Sequence, residues 1–269
     1  MTANSPSLYN TIVKISLITV CFNAKRTLAD TLASVFAQKA GVEVEYLVID
    51  GGSTDVTVDF IRAQEGKAGG LPGFTFRWLS EKDQGMYDAL NKGIRMATGD
   101  VIGILNADDR FEDELVLRDV AAAFGEGVDC IYGDIRFVRG ESDETARYYS
   151  SAGWRRWMHN WGYMPAHPTV YVRREVFERC GVYKLGYDIS ADFEWMVRTL
   201  CRGRVRAKYL PRCMVTMRLG GKSTAGLRAM VKLNRENVRA NRENGYFCCL
   251  AMMLPKYAYK IWGYVFKKK

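Results

Sequence analysis

No stretch of the 269-residue chain reaches the 18 or so uncharged apolar residues of a membrane span, so bilayer crossing by a helix is not expected. The opening MTANSPSLYN lacks a charged n-region and an apolar h-region, which argues against a secretory signal. Seven cysteines (Cys21, Cys130, Cys180, Cys201, Cys213, Cys248, Cys249) form no CxxC and no Cys/His metal spacing, and their odd number speaks against a disulfide framework. Reduced, mostly buried thiols in a cytoplasm are the expectation. Internal repeats and Pro/Ser-rich linkers are missing too, which favours one compact domain with a helical C-terminal appendage. Acidic residues are scarce toward the end: residues 202–269 carry 2 Asp+Glu against 17 Lys+Arg, whereas residues 1–201 carry 28 against 22. The formal charge of +9 therefore comes from the last quarter, and a basic region of this kind suits nucleic acid, anionic lipid or phosphate-bearing ligands.

What is present is ordinary globular material, 48% hydrophobic and 26% charged, which excludes a disordered or collagen-like chain. Strand-like apolar runs at 15–21, 44–49, 74–79 and 101–105 alternate with helical periodicity at 24–38, 54–63 and 86–97. This alternation predicts βαβ units and a largely parallel sheet, whose ligands bind outside the carboxyl ends of the strands. A helix over 112–124 and a strand near 130–132 follow, and regularity weakens over 133–168, where Trp154, Trp157, Trp161 and Tyr163 suggest a loop-and-short-helix insert. A strand at 169–172, helices at 174–180 and 190–201, strands at 205–210 and 214–218, and closing helices over 224–244 and 247–266 complete the reading.

Four polar clusters fall at the predicted strand ends. Thr19-Val20-Cys21-Phe22-Asn23 ends the first strand, and Asp50-Gly51-Gly52-Ser53-Thr54-Asp55 ends the second, where glycines let backbone turn tightly and approach a ligand. Residues 80–93 (SEKDQGMYDALNKG) run a charged loop into a helix N-terminus, with free N–H groups and a positive dipole end suited to an anionic or polar ligand. Asn106-Ala107-Asp108-Asp109 follows the strand VIGIL; adjacent carboxylates there repel unless a cation or donor compensates them, and Mg²⁺ or Mn²⁺ would do so. The plain alternatives are an Asp-Gly turn, a capped helix and an acidic turn.

Taken in order, ITVCFN, DGGSTD, SEKDQGMYDALNKG, GILNADD and SADFEW resemble the family 2 glycosyltransferases, inverting enzymes of GT-A fold, over roughly residues 13–225. The resemblance implies a catalytic domain over 1–225 and a basic helical extension over 226–269. It further implies that Thr19, Asn23, Asp50 and Asp83 bind the nucleotide part of a nucleotide-diphosphate sugar. Asn106-Ala107-Asp108 would be the DxD element, with Asn106 in place of the usual ribose-binding Asp and Asp108 as ligand to Mn²⁺ or Mg²⁺. Asp192 would be the base that takes a proton from the acceptor hydroxyl, with Glu194 ranked well below it. Arg218 and Lys222, in MRLGGKST, would neutralise the leaving diphosphate. Roles for Asp109 and His167 stay open. The acceptor would be a glycan or polyprenyl-linked glycan of a bacterial surface polysaccharide. The absence of pore helices and of a Gln-x-x-Arg-Trp element argues against a processive synthase.

The terminal region bears Arg228, Lys232, Arg235, Arg239 and Arg242 on one helical face, then the uncharged run 246–254 and the aromatic-lysine mixture KYAYKIWGYVFKKK. These features suit the anionic inner face of a cell membrane, or packing on the body or on a second copy of the chain. Nucleic acid is not expected, because no reader motif accompanies the charge. The competing readings are a sugar nucleotidyltransferase, disfavoured by the lack of glycine in TVCFNAKRTLAD, and a non-catalytic basic membrane-surface binder.

Overall fold

The computed structural model describes residues 14–140, 143–203, 205–219 and 226–257. Lys222 and the lysine-rich 258–269 lie outside the described residues. The first half builds the parallel part of the sheet: β1 (Lys14–Cys21), β2 (Glu43–Asp50), β3 (Phe74–Ser80) and β4 (Val101–Ile104) in the order β3-β2-β1-β4. α1 (Lys25–Phe36) follows β1, α2 (Thr57–Arg62) and α3 (Glu65–Ala68) follow β2, and α4 (Met86–Met96) follows β3. Helices cover both faces, so β1 and β2 are buried along almost their whole length and read as continuous apolar runs rather than alternating ones. Ile18, Leu47 and Ile49 point into one core layer with Leu90 and Ile94 of α4, and Leu17, Tyr46 and Val48 point into the other with Leu28, Leu32 and Val35 of α1. Gly93 lets α4 lie close on β1, since a Cβ there would fall 2.6 Å from Ile18 Cγ2.

The second half is mixed. It contains β5 (Asp109–Phe111), α5 (Val116–Ala123), β6 (Cys130–Val138), β7 (Thr145–Tyr149), β8 (Tyr171–Arg173), α6 (Arg174–Cys180), α7 (Ala191–Met196), β9 (Ala207–Arg218) and α8 (Leu227–Glu243). The sheet continues β4-β8-β6-β9-β5, with β7 on β6. Three details depart from the sequence expectation. β6 is longer and turns back as a hairpin with β7. A short β5 pairs with β9 just ahead of the span 112–124 expected as helix, and α5 begins at Val116. The two strands expected at 205–210 and 214–218 are one strand, β9, whose register against β6 jumps from Tyr132↔Tyr209 to Asp134↔Cys213. Pro211 lies within that jump, and a residue without an N–H leaves the ladder at a bulge.

Past α8 the expected single helix over 247–266 is interrupted: helix is seen at 255–257, while 247–254 are not α-helical, and 258–266 lie outside the described residues. A 3₁₀ turn at Leu250–Met253 follows extended chain, because Cys248 and Met253 are both drawn into full burial beside Val238. Phe247, Leu250 and Leu254 are left exposed. No helix among the described residues is long and apolar enough to cross a membrane.

Candidate active site

The carboxyl ends of β1, β2 and β3 and the turn after β4 meet at one edge, tied together by side chains. Thr19 is fully buried; its hydroxyl donates to the Leu105 carbonyl (2.7 Å) and accepts from Tyr46 (3.0 Å), pinning β1 to the end of β4. Asn23 has a left-handed backbone (φ 49°), and its Oδ1 accepts from the Thr54 and Asp55 amides (2.9 and 3.3 Å). Asp50, also fully buried, accepts from the Gly52 and Ser53 amides (3.1 and 2.9 Å) and from the Ser80 and Ser53 hydroxyls. Burial by itself would raise its pKa, but these donors outweigh burial and hold the carboxyl below the usual range. The side chains of Thr19, Asn23 and Asp50 are thus engaged within the protein and shape the 50–55 loop. Asp83, half-buried, accepts from the Gly85 amide (2.8 Å) and lies over Gly51, where a Cβ would fall 2.3 Å from its Oδ2. Loops two and three therefore close on each other.

In the turn after β4, Asn106 donates through Nδ2 to Asp109 Oδ2 (3.0 Å), so its amide serves the neighbouring carboxyl. Asp109 is buried, and its Oδ1 has no partner among the described residues. Burial above all, then the adjacent Asp108 charge, pushes its pKa well up against the Asn106 bond. Asp108 is exposed. The Asp109↔Met217 pairing brings the end of β9 to this turn, and the Arg218 guanidinium there is paired with Asp30 of α1. No three metal-ligating side chains converge among the described residues.

The third part comes from α7. Asp192, half-buried in its first turn, accepts through Oδ1 from the Phe193 amide (2.8 Å) and the Tyr87 hydroxyl (3.2 Å). Tyr87 is the second residue of α4, so it joins Asp192 to the SEKDQGMYDALNKG segment. His167 Nε2 lies 2.9 Å from the Tyr183 hydroxyl, and the Tyr183 ring is 5.8 Å from that of Tyr87. Burial lowers the His167 pKa against the opposing pull of Asp192, which keeps the imidazole neutral near pH 7. Glu194 has a different surrounding: fully buried, it is paired with Arg198 (3.0 Å) and Lys184 (3.0 Å) and accepts from Asn244 (3.2 Å). Trp154 is buried and donates to Tyr163, whereas Trp157 and Trp161 form an exposed edge-to-face pair with centroids 5.0 Å apart.

Two residues that sequence reasoning passed over hold Asp192 or the chain that leads into it. One is Tyr87. The other is Glu236 of α8, which accepts from the backbone amides of Asp188, Ile189 and Ser190 (3.1, 3.0 and 2.9 Å). The available signal for Glu236 was its rarity, since it and Glu243 are the two acids beyond Cys201.

The geometry can be set beside known proteins. An uncharacterized glycosyltransferase of Mycobacterium tuberculosis (strain ATCC 25618 / H37Rv) is 32% identical over 194 residues, 68% of each chain. A PGL/p-HBAD biosynthesis glycosyltransferase of Mycobacterium bovis (strain BCG / Pasteur 1173P2) is 30% identical over 204 residues, 72% of this chain and 73% of that one. Among solved structures, S. aureus TarS 1-349 in complex with UDP-GlcNAc superposes with a TM-score of 0.66 at 15% identity, covering 90% of this chain and 70% of that chain. The mannosyltransferase PcManGT from Pyrobaculum calidifontis, in complex with GDP-Man and Mn²⁺, gives 0.59 at 16% identity, covering 95% and 76%. The fold is thus GT-A. The model of glycosyl transferase family 2 matches residues 16–184, and with that match and the curated relatives the chain, a glycosyltransferase, belongs to glycosyl transferase family 2.

Proposed function

We propose that the enzyme transfers one sugar, with inversion, from a nucleotide-diphosphate sugar to a hydroxyl of a glycan or polyprenyl-linked glycan in bacterial surface polysaccharide synthesis. The observation that carries this reading is the continuity from the nucleotide-side loops to Asp192: Ser80 donates to Asp50, Asp83 packs on Gly51, and Tyr87, four residues on, donates to Asp192. A donor at the strand ends and a base beside it are what an inverting transfer needs. Asp192 accepts the proton of the attacking hydroxyl, and Tyr87 orients its carboxylate. Thr19, Asn23, Asp50, Asp83 and Asn106 form the nucleotide pocket, largely by holding backbone in place. Support for the donor class comes from the solved neighbours, one bound to UDP-GlcNAc and one to GDP-Man.

Asp108 offers an exposed hard oxygen ligand and would hold a Mg²⁺ or Mn²⁺ ion, with no group of three metal-ligating side chains formed among the described residues. Such an ion, when bound, neutralises charge on the diphosphate. Arg218 supplies cationic charge from the end of β9, shared with Asp30, and Lys222 continues the same segment. The acceptor is drawn from the anionic inner membrane face, where the exposed Phe247, Leu250 and Leu254 meet lipid beside the cations of α8.

Purified protein with Mn²⁺ or Mg²⁺ is expected to release nucleoside diphosphate from at least one member of a sugar-nucleotide panel, and chelation to stop it. Asp108→Ala and Asp192→Ala should each abolish transfer. Full activity in both variants would overturn the assignment.

A further inference from the structure

We infer that α8 is a positioning element for Asp192 and that Glu236 is the residue through which it acts; the inference rests on Asp192 being the base. Residues 184–190 precede α7 as irregular chain, and their backbone would otherwise be held loosely. Glu236, 9% exposed, accepts from three consecutive amides, those of Asp188, Ile189 and Ser190. The Ile189 peptide is also held from its other side, its carbonyl accepting from Tyr87 (2.6 Å), the same hydroxyl that faces Asp192. The peptide two residues ahead of the base is thus clamped between α8 and α4.

The rest of that α8 face grips the same loop. Lys232 pairs with Asp188, Arg239 donates to the Gly186 carbonyl (3.0 Å) and covers the Tyr187 ring, and Glu243 meets Lys184 and Tyr187 (3.0 Å each). Positions 232, 236, 239 and 243 recur at the helical spacing, so one stripe is devoted to this contact. Both acids in a segment otherwise rich in cations point at this loop. Simple docking of a helix needs apolar burial; a carboxylate with three amide donors fixes dihedral angles instead. Ser190, the residue before α7, makes no side-chain cap, and its hydroxyl has no partner among the described residues. Glu236 therefore orders the helix start from outside, and with it the Asp192 carboxylate.

The test uses the purified full chain with the sugar nucleotide and acceptor that support turnover. Glu236→Ala and Glu236→Gln are compared with Asp192→Asn and with Glu45→Gln, which removes a buried charge near the amino ends of β1 and β2. Glu236→Ala should lower kcat about 10- to 100-fold, the scale of an ångström of misplacement, with donor KM within about 2-fold. Glu236→Gln, which keeps one acceptor oxygen, should fall between it and the wild type, and carries the comparison where the alanine variant fails to fold. Amide exchange at 188–190 should quicken in both variants. The inference is overturned if Asp192→Asn is inactive while both Glu236 variants lose no more kcat than Glu45→Gln does. Full activity in Asp192→Asn instead overturns the base assignment beneath it.

Discussion

Gly51 sits where the second and third loops touch, with Asp83 Oδ2 occupying the space of a side chain. Gly51→Ala should push the carboxylate off the Gly85 amide, a charge-assisted bond worth about 1.5–3 kcal/mol. Donor KM should rise about 10-fold or more with kcat less affected, measured by titrating the sugar nucleotide; an unchanged KM would remove Asp83 from the donor pocket. At this scale the motifs were readable and the tasks of their side chains were not. DGGSTD announces a turn, but that Asp50 is enclosed by Ser53, Ser80 and two amides depends on β3 arriving alongside β2. Asn106 follows the same logic: its amide is taken by Asp109 three residues later, a contact that the NADD spacing permits but does not dictate. The Tyr87–Asp192 contact joins residues 105 positions apart and has no local signal.

Elements built on apolar periodicity, β1 to β4 with α1 and α4, stand within a few residues of where the sequence put them. Those that depend on a partner do not. β5 exists because β9 lies beside it, β9 crosses Pro211 because β6 absorbs the offset, and residues 247–254 do not continue as α-helix because Cys248 and Met253 both reach the interior. α7 is anchored by Glu194, whose carboxyl is held below its ordinary pKa: burial alone would raise it, and the bonds from Arg198, Lys184 and Asn244 outweigh burial. Glu194→Ala leaves Arg198 without its buried partner and should cost about 3–5 kcal/mol in denaturant unfolding. The lowered pKa also fixes a pH sign. The stabilisation from Glu194 is present above the unfolded value of about 4.3 and is lost as pH falls through the lower folded value. The acid limb of a Tm–pH profile should therefore flatten in Glu194→Ala; an unaltered limb would show that this ion cluster contributes nothing there.

Across the whole molecule the two signs of charge are segregated, and part of the basic share is used internally: Lys232, Arg239 and Arg242 bond to the protein, while Arg228 and Arg235 remain exposed. Sedimentation with vesicles should show binding to phosphatidylglycerol-containing but not neutral bilayers, weakened at about 0.5 M salt, where charge screening is strong. Phe247→Ser with Leu254→Ser should weaken it further, and equal binding to both vesicle types would remove the electrostatic part of the membrane reading. The grip of α8 on the 184–190 loop also has a meaning in time. The loop is synthesised ahead of α8, and at about 5–20 residues per second the helix that holds it follows only seconds later. A nascent chain can complete every strand of its described sheet and still lack the clamp on the chain ahead of Asp192, so under the proposed role of Asp192 competence for transfer arrives with α8 rather than with the sheet.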